Sequence, residues 1–514
     1  MSKSFSFFFY DYESFGVSPS HDRPAQFAGI RTDEDFNIID DPVMFYCKQT
    51  PDYLPSPEAV IVTGITPQQC NDNGLSEPEF TARIHAEFSQ ANTCTIGYNN
   101  IRYDDEMTRY TFFRNFYDPY EYSWENGNSR WDLLDLVRAC YALRPEGIEW
   151  PKDENGMPSF KLENLTKANG ISHENAHDAM SDVYATIAMA KLIKEKQPKL
   201  FQFFFNLRIK KEVKMLIDTG EMTPLVHVSG MLGNYRGNTA WVVPLEWHPT
   251  NPNAVIVCDL SGDVNGLLNE NAETLHQRLY TKREALTEND LPVPLKLVHI
   301  NKCPILAPAK TLLPENAERL GIDRALCLAN LQALKAQKSL VREKVLEIFN
   351  DKRVFELSPN VETTLYDGFF STSDKNNMAI LRTLLPEHLA NHGLKFEDPR
   401  VEKLLFHYRA RHYPQTLTRA EQIKWQKYCH QQIDAKAEQF AKSIDELYQQ
   451  YNDNPGIVKL LENLTAYAEQ ISQKQTAVYT KNNEDGKLIS DLNKAAEQQL
   501  NKAEKLKLLK ELIK

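Results

Sequence analysis

Residues 5 to 10 and Tyr12 form an almost unbroken aromatic run, Phe5, Phe7, Phe8, Phe9, Tyr10 and Tyr12, which closes on two acidic side chains, Asp11 and Glu13. Such a run over 4–12 predicts a buried strand. Side chains alternate along a strand, so Asp11 and Glu13 point to the same side and two carboxylates converge on one spot. A buried strand ending in two carboxylates leaves charges that need a cation. Hard oxygen ligands suit Mg2+ or Mn2+ rather than zinc.

The segments that follow alternate in type. Strands are predicted over 26–31, 44–48 and 93–98, and helices over 78–88, 105–116, 131–142, 162–168 and 179–194. This grammar means an α/β domain with a mixed sheet and flanking helices over 1–192. Gln197-Pro198 marks a linker, because the residue before proline is biased out of the helical region. Short β-branched runs at 225–228, 239–244, 255–260 and 296–300 predict a smaller, strand-rich and barrel-like domain over 198–350, closed by a helix over 324–349. Strand signals then nearly vanish. Helical patterns at 378–389, 401–410, 419–450 and 457–475 predict an all-α C-terminal domain over 354–475. The tail 476–514 carries Leu488, Leu492, Ala496, Leu500 and Ala503 at three-to-four spacing, an amphipathic stripe that reads first as a docking or frayed terminal helix and second as a partner-binding one.

The chain's 514 residues allow about three domains and a sizeable core. Its net charge of −11 excludes whole-surface attraction to nucleic acid, so any such site must be a local basic patch. Eight cysteines, with no C-x-x-C pair, argue against a zinc ribbon or a thioredoxin-like motif and fit buried thiols in an intracellular protein. The apolar stretch at 5–10 is interrupted too early for a signal or a membrane span, so no export or anchoring is expected.

Two further motifs join the D-x-E. In Asn100-Ile101-Arg102-Tyr103-Asp104 a strand ends in polar residues and Asp104 opens a helix. Taken alone, the helix N-cap reading is favoured for Asp104. In His177-Asp178-Ala179-Met180-Ser181-Asp182, His177 precedes a helix and Asp182 lies one turn inside it, where a carboxylate is of no use as a cap. Asp178 is the better cap candidate and is left out of the site. By itself His177 reads as a surface or capping histidine.

The ordered pattern D-x-E, N-x-x-Y-D and H-x4-D resembles the DEDDh exonuclease family, whose fold is ribonuclease H-like. Segments at 9–16, 22–27, 97–105, 139–147, 225–237, 296–304 and 401–410 are similar to its bacterial exonuclease I branch, so nearly the whole chain before 475 is covered. The resemblance implies that Asp11, Glu13, Asp104 and Asp182 hold two Mg2+ ions, for which Mn2+ can substitute, and that His177 is the catalytic histidine. Two ions about 3.5–4 Å apart suit in-line displacement at phosphorus. A histidine with pKa near 6.5 can take up the proton of the attacking water. The reaction implied is processive 3′→5′ removal of 5′-mononucleotides from single-stranded DNA, in DNA repair and recombination. Competing readings are an RNA exonuclease of the same superfamily and a non-catalytic single-strand-binding scaffold.

Substrate contacts are expected where aromatics and cations interleave, between Arg102 and Lys161. Arg109, Tyr120, Trp124, Arg138 and Lys161 are the candidates there, with roughly half of the aromatics expected in the core. Phe15 and Ile65, on loops the family sets against the terminal nucleotide, and Glu13 complete the set. Tyr235, Arg236, Trp241, Lys296 and Lys302 extend a possible groove. The resemblance further implies a partner, the single-stranded-DNA-binding protein bound through its acidic C-terminal tail, together with a monomeric, cytoplasmic protein and no membrane.

Overall fold

The computed structural model describes residues 4–173, 177–282, 285–286, 292–350 and 358–473. The aromatic run forms β1, Ser6–Ser14, at the centre of a five-stranded sheet. It pairs antiparallel with β2, Pro24–Thr32, and parallel with β4, Thr93–Gly97. β3, Val43–Tyr46, extends the β2 edge and β5, Ser129–Asp132, extends the β4 edge. The order β3-β2-β1-β4-β5 is the expected mixed sheet.

Alternation along β1 sorts its side chains into two cores. Phe8, Tyr10 and Tyr12 face the helices Glu77–Phe88 and Asp104–Arg114, meeting Phe80, Phe88 and Phe112. Phe7 and Phe9 face the other way and share a core with Val183, Ile187 and Ala190 of the helix Ala179–Lys196. Phe7, Phe8 and Phe9 are at most 2% exposed, and each such burial contributes about 1.5–3 kcal/mol. Asp11 and Glu13 follow the parity of Phe7 and Phe9, so they emerge on the side of the Ala179–Lys196 helix.

The second sheet runs β10-β6-β7-β8-β9, antiparallel throughout. Its strands are β6, Leu225–Val228; β7, Thr239–Trp247; β8, Ala254–Asp259; β9, Leu295–His299; and β10, Ile305–Pro308. The helix expected over 324–349 is two, Arg324–Ala336 and Lys338–Ile348, broken at Gln337, where φ is −117°. One apolar core runs without interruption from Phe7 through the helix Pro198–Asn206 to Phe349. The last described part is helical, with Thr372–Leu381, Pro399–His412, Arg419–Gln450 and a stretch over 455–473. The long helix starts on a capping box of Thr418 and Glu421. The amphipathic stripe at 488–503 lies outside the described residues.

Buried charges tie the C-terminal helices to the first sheet's layer. Arg411 Nη2 lies 2.6 Å from Asp52 Oδ2, Arg23 Nη2 lies 2.6 Å from Glu362 Oε2, and Arg411 also pairs with Glu362. All four side chains are at most 8% exposed. All eight cysteines are buried and unbridged.

Candidate active site

The end of β1 is held from three directions. Tyr12, between the two acids, points inward, and its hydroxyl accepts from Thr108 Oγ1 at 3.0 Å. The Tyr103 hydroxyl, from the N-x-x-Y-D motif, donates to the Gly16 carbonyl and meets Ser14 Oγ at 2.5 Å, closing the loop after the strand. A Cβ on Gly16 would sit 2.2 Å from the Asp22 carboxylate, so a larger residue in this turn would displace that side chain. Asn99, at φ 67°, donates its N–H to Asp132 Oδ1 at 2.9 Å, and Ile101 N–H donates to Asp132 Oδ2 at 3.2 Å. That carboxylate shapes the turn that delivers Asp104. Asp104 is the first helical residue, while the cap position is Tyr103; Asp104 Oδ1 accepts from Tyr12 N–H at 3.2 Å. The cap reading of Asp104 therefore gives way to a carboxylate fixed against β1.

Asp182 arrives from the helix packed below. Asp178 caps that helix, accepting from Ser181 N–H at 3.2 Å. Gln26 lies directly opposite Glu13 on β2, and its Oε1 accepts from Ala179 N–H at 3.2 Å. The strand that pairs with the acidic strand thus also fixes the start of the helix that carries Asp182. His177, at φ 66°, stands before the helix with its side chain half exposed, Nε2 3.9 Å from Glu163 Oε2. Ligand atoms of Glu13, His177 and Asp182 lie within 4.8 Å of one another. Together with Asp11 and Asp104 they line one cleft of about 810 Å3.

Electrostatics say what this cleft lacks. Burial, then Asp104, Glu13 and Asp182, push Asp11 well above the usual carboxylate range. Glu13 is raised to about 9 by burial, then Asp182 and Asp104, and Asp104 to about 8, chiefly by burial. Asp182 is also raised by burial, though hydrogen bonding and charge from His173 pull it back. Four carboxylates held close with too little positive charge fit divalent cations, whose binding would relieve both burdens.

Arg138 and Lys161 line the same cleft. Arg138 is bonded to Asp135 at 2.8 Å and lies against Gly230 of the second layer, 3.0 Å from where a Cβ would stand. Trp124 is 62% exposed. Arg109 is buried, bonded to Glu106 at 2.9 Å and 5.3 Å from the Tyr120 ring centroid. Phe15 and Ile65 do not offer free faces: Phe15 is 0% exposed and both pack with Val60, Ile444 and Leu461. Two interleaved cations are structural, Arg114 paired with Glu77 and Arg130 with Asp105. In the second layer Trp241 is buried and Tyr235 exposed. Sequence reasoning missed Tyr366 and Phe369, exposed rings beside Tyr120; Phe369 lies 5.5 Å from it. Their only signal was a Tyr-Asp-Gly-Phe-Phe turn with no basic neighbour. His173, Glu163 and Asp153 on the cleft wall were missed as well.

A mixed sheet whose central strand presents Asp11 and Glu13 to Asp104, Asp182 and His177 defines a DEDDh-type exonuclease. Residues 8–190 match the family described as Exonuclease, 208–351 the Exonuclease I SH3-like domain and 359–471 the Exonuclease I C-terminal domain. The chain belongs to the exodeoxyribonuclease I family. It is 70% identical over 468 residues to Exodeoxyribonuclease I of Haemophilus influenzae, covering 91% of this chain and 99% of that one. Identity to Exodeoxyribonuclease I of Escherichia coli K12 is 56% over 467 residues, covering 91% and 98%. The crystal structure of E. coli Exonuclease I in complex with a dA16 oligonucleotide superposes with a TM-score of 0.89, at 55% identity and 91% and 100% coverage. A crystal structure of SSB/Exonuclease I with an inhibitor gives 0.86, at 53% identity and 91% and 100% coverage. Among the described residues no helix is long and apolar enough to cross a membrane.

Proposed function

We propose that this chain degrades single-stranded DNA processively from its 3′ end, releasing 5′-mononucleotides, in DNA repair and recombination. The observation that carries the reading is the convergence of Asp11, Glu13, Asp104, Asp182 and His177 on one cleft, in a chain 55% identical to an enzyme crystallised with an oligonucleotide. Two Mg2+ ions held by the four carboxylates, with Mn2+ as a substitute, would supply Lewis-acid stabilisation of the attacking and leaving oxygens. His177, at the open rim of the cleft, takes the proton of the attacking water through Nε2. The water oxygen bonds to phosphorus as the bond to the 3′ oxygen breaks, and that oxygen is protonated from solvent. Arg138 and Lys161 neutralise phosphates near the scissile bond. Trp124, Tyr120, Tyr366 and Phe369 form a stacking face for upstream bases, at about 1–3 kcal/mol per base. With its ring enclosed, Phe15 acts beneath the terminal nucleotide as support for the Ser14–Gly16 turn.

The same reading includes a single-stranded-DNA-binding protein as partner, bound through its acidic tail, and a monomer working in the cytoplasm. The test is degradation of 5′-labelled single-stranded DNA with Mg2+ or EDTA, beside matched RNA and duplex DNA, comparing the chain with Asp182→Ala. Mg2+-dependent shortening from the 3′ end of single-stranded DNA, lost in the variant, is expected. Preferential loss of RNA would transfer the assignment to an RNA exonuclease, and binding without shortening under every metal to a scaffold.

A further inference from the structure

His173 lies outside the three motifs, yet its side chain is only 3% exposed and points at the carboxylate cluster. Its Nε2 is 2.5 Å from Asp182 Oδ1. The other ring nitrogen, Nδ1, is 3.2 Å from Thr166 Oγ1. Thr166 is fully buried in the helix Leu162–Ala168, and its hydroxyl also bonds to the Leu162 carbonyl at 2.9 Å. Backbone carbonyl, hydroxyl, imidazole and carboxylate therefore form one relay from a packed helix to Asp182.

The relay does two things to Asp182. An aspartate on an exposed helical turn samples several rotamers, and a bond to a buried ring with no freedom of its own selects one. It also anchors Oδ1, which fixes how the carboxylate faces the cleft. Ring nitrogens and hydroxyls placed behind a ligand in this way fix its orientation, and removing them from characterised metal sites typically costs about 10–100-fold in affinity or activity.

We infer that His173, braced by Thr166, is a positioning residue that sets the orientation of the Asp182 carboxylate for cation binding. This rests on the two-metal reading of the cleft. It assigns His173 a role separate from that of His177, which stands half exposed at the rim with Nε2 3.9 Å from Glu163 Oε2.

The experiment measures Mn2+ binding to the full chain without DNA, by calorimetry and by the loss of free-ion electron paramagnetic signal, for wild type, His173→Ala, His173→Gln and Thr166→Val. Glutamine places an N–H where Nε2 stands, so it keeps the bond to Asp182. Expected results are Mn2+ affinity about 10–100-fold weaker in His173→Ala, within about threefold of wild type in His173→Gln, and intermediate in Thr166→Val. On single-stranded DNA, His173→Ala should recover most of its kcat at raised Mn2+ and keep the wild-type pH profile. The metal-free unfolding midpoint identifies a variant that fails to fold, and His173→Gln then carries the comparison against His173→Leu. Three results overturn the inference: unchanged Mn2+ affinity in His173→Ala, equal losses in the alanine and glutamine variants, or a kcat loss that metal does not restore with a displaced pH limb, which would make His173 the proton acceptor. If wild type binds no Mn2+ at the cleft, the two-metal reading fails first; if it binds and the variants do not differ, only the role of His173 fails.

Discussion

Arg411 and Asp52 form a buried, two-pronged pair: Nη2 to Oδ2 at 2.6 Å and Nε to both carboxylate oxygens at 3.1 Å, across 359 positions of sequence. The pair fastens the C-terminal helices beside the catalytic sheet. Arg411→Ala leaves Asp52 and Glu362 with Arg23 as the remaining arginine between them, and breaking such a pair costs about 3–5 kcal/mol. A urea titration followed by tryptophan fluorescence is expected to show the C-terminal transition at lower denaturant in the variant, and an unchanged midpoint would count against the pair as a fastener.

The same cluster predicts an acid limb. Burial pushes Glu362 and Asp52 upward, but Arg411 and Arg23 outweigh it, so both ionise below their ordinary values of 4.5 and 3.8. A carboxyl depressed in the folded state contributes stability that is complete above its unfolded pKa and lost as pH falls towards the folded one. Stability should therefore hold from neutrality to about pH 5 and decline below it. The paired substitution Asp52→Asn with Glu362→Gln should start lower and decline less steeply, a difference that midpoints at pH 7 and 4 can measure.

The cleft carboxylates give the opposite sign. Glu13, raised to about 9, takes up a proton on folding when no cation is present, so it costs stability at neutral pH, and the cost fades as pH falls towards 4.5 and is absent below it. Glu13→Gln should raise the metal-free melting temperature by about 2–4 °C while lowering nuclease activity at least about a thousandfold. Mg2+ should stabilise wild type and leave the variant nearly unmoved. Scanning calorimetry in EDTA and in Mg2+ separates these outcomes.

Gln26 couples the acidic strand to the helix carrying Asp182. Gln26→Leu leaves the Ala179 N–H buried without its acceptor, at about 1–3 kcal/mol, and frees the first turn of that helix. Misplacing a ligand by even 1 Å can cost about a hundredfold, so kcat is expected to fall by about ten- to a hundredfold with little change in KM. A pure KM effect would place Gln26 in substrate binding instead.

Contacts to bases and to phosphates should separate by salt. In EDTA, Phe369→Ala is expected to weaken single-stranded DNA binding by about 1–3 kcal/mol without altering its salt dependence. Arg138→Ala should weaken it while reducing the slope of log K against log salt by about 0.7. Fluorescence anisotropy from 50 to 300 mM salt measures both.

How far the sequence revealed this arrangement depended on whether burial followed hydrophobicity. The aromatic strand, the helix at Leu162–Ala168 and the long helix Arg419–Gln450 follow their patterns residue for residue or within two positions. β5 does not: the helix expected from residue 131 starts at Leu133, and Ser129–Asp132 forms a strand because Arg130 is neutralised by Asp105 and its Nη2 reaches the Asn301 carbonyl. β10 is four residues ending in proline, too short for a periodic signal. Strand alternation made Asp11 and Glu13 legible as a pair, whereas Asp104 and His177 read alone as a cap and a surface residue and joined the site only through the family resemblance that the three ordered motifs carry. Most substrate candidates were not legible. Arginines that pair inside the core and arginines that face DNA look alike in sequence, and Tyr366 and Phe369 reach Tyr120 only through tertiary folding. His173 was invisible for the converse reason, since nothing local marks a histidine whose partners are Thr166 and Asp182.

The uninterrupted apolar core leaves a mark on how such a protein can change over generations. Phe201 and Phe205, on the helix that leads out of the first layer, each meet Trp131 edge-on at 5.2 Å between ring centroids, while Phe205 also touches Phe7 of the acidic strand. A chain severed after residue 190 would bare those rings and unseat the strand that carries its chemistry. Gene fusion or shuffling therefore has no clean seam at which to lift this nuclease layer onto another scaffold.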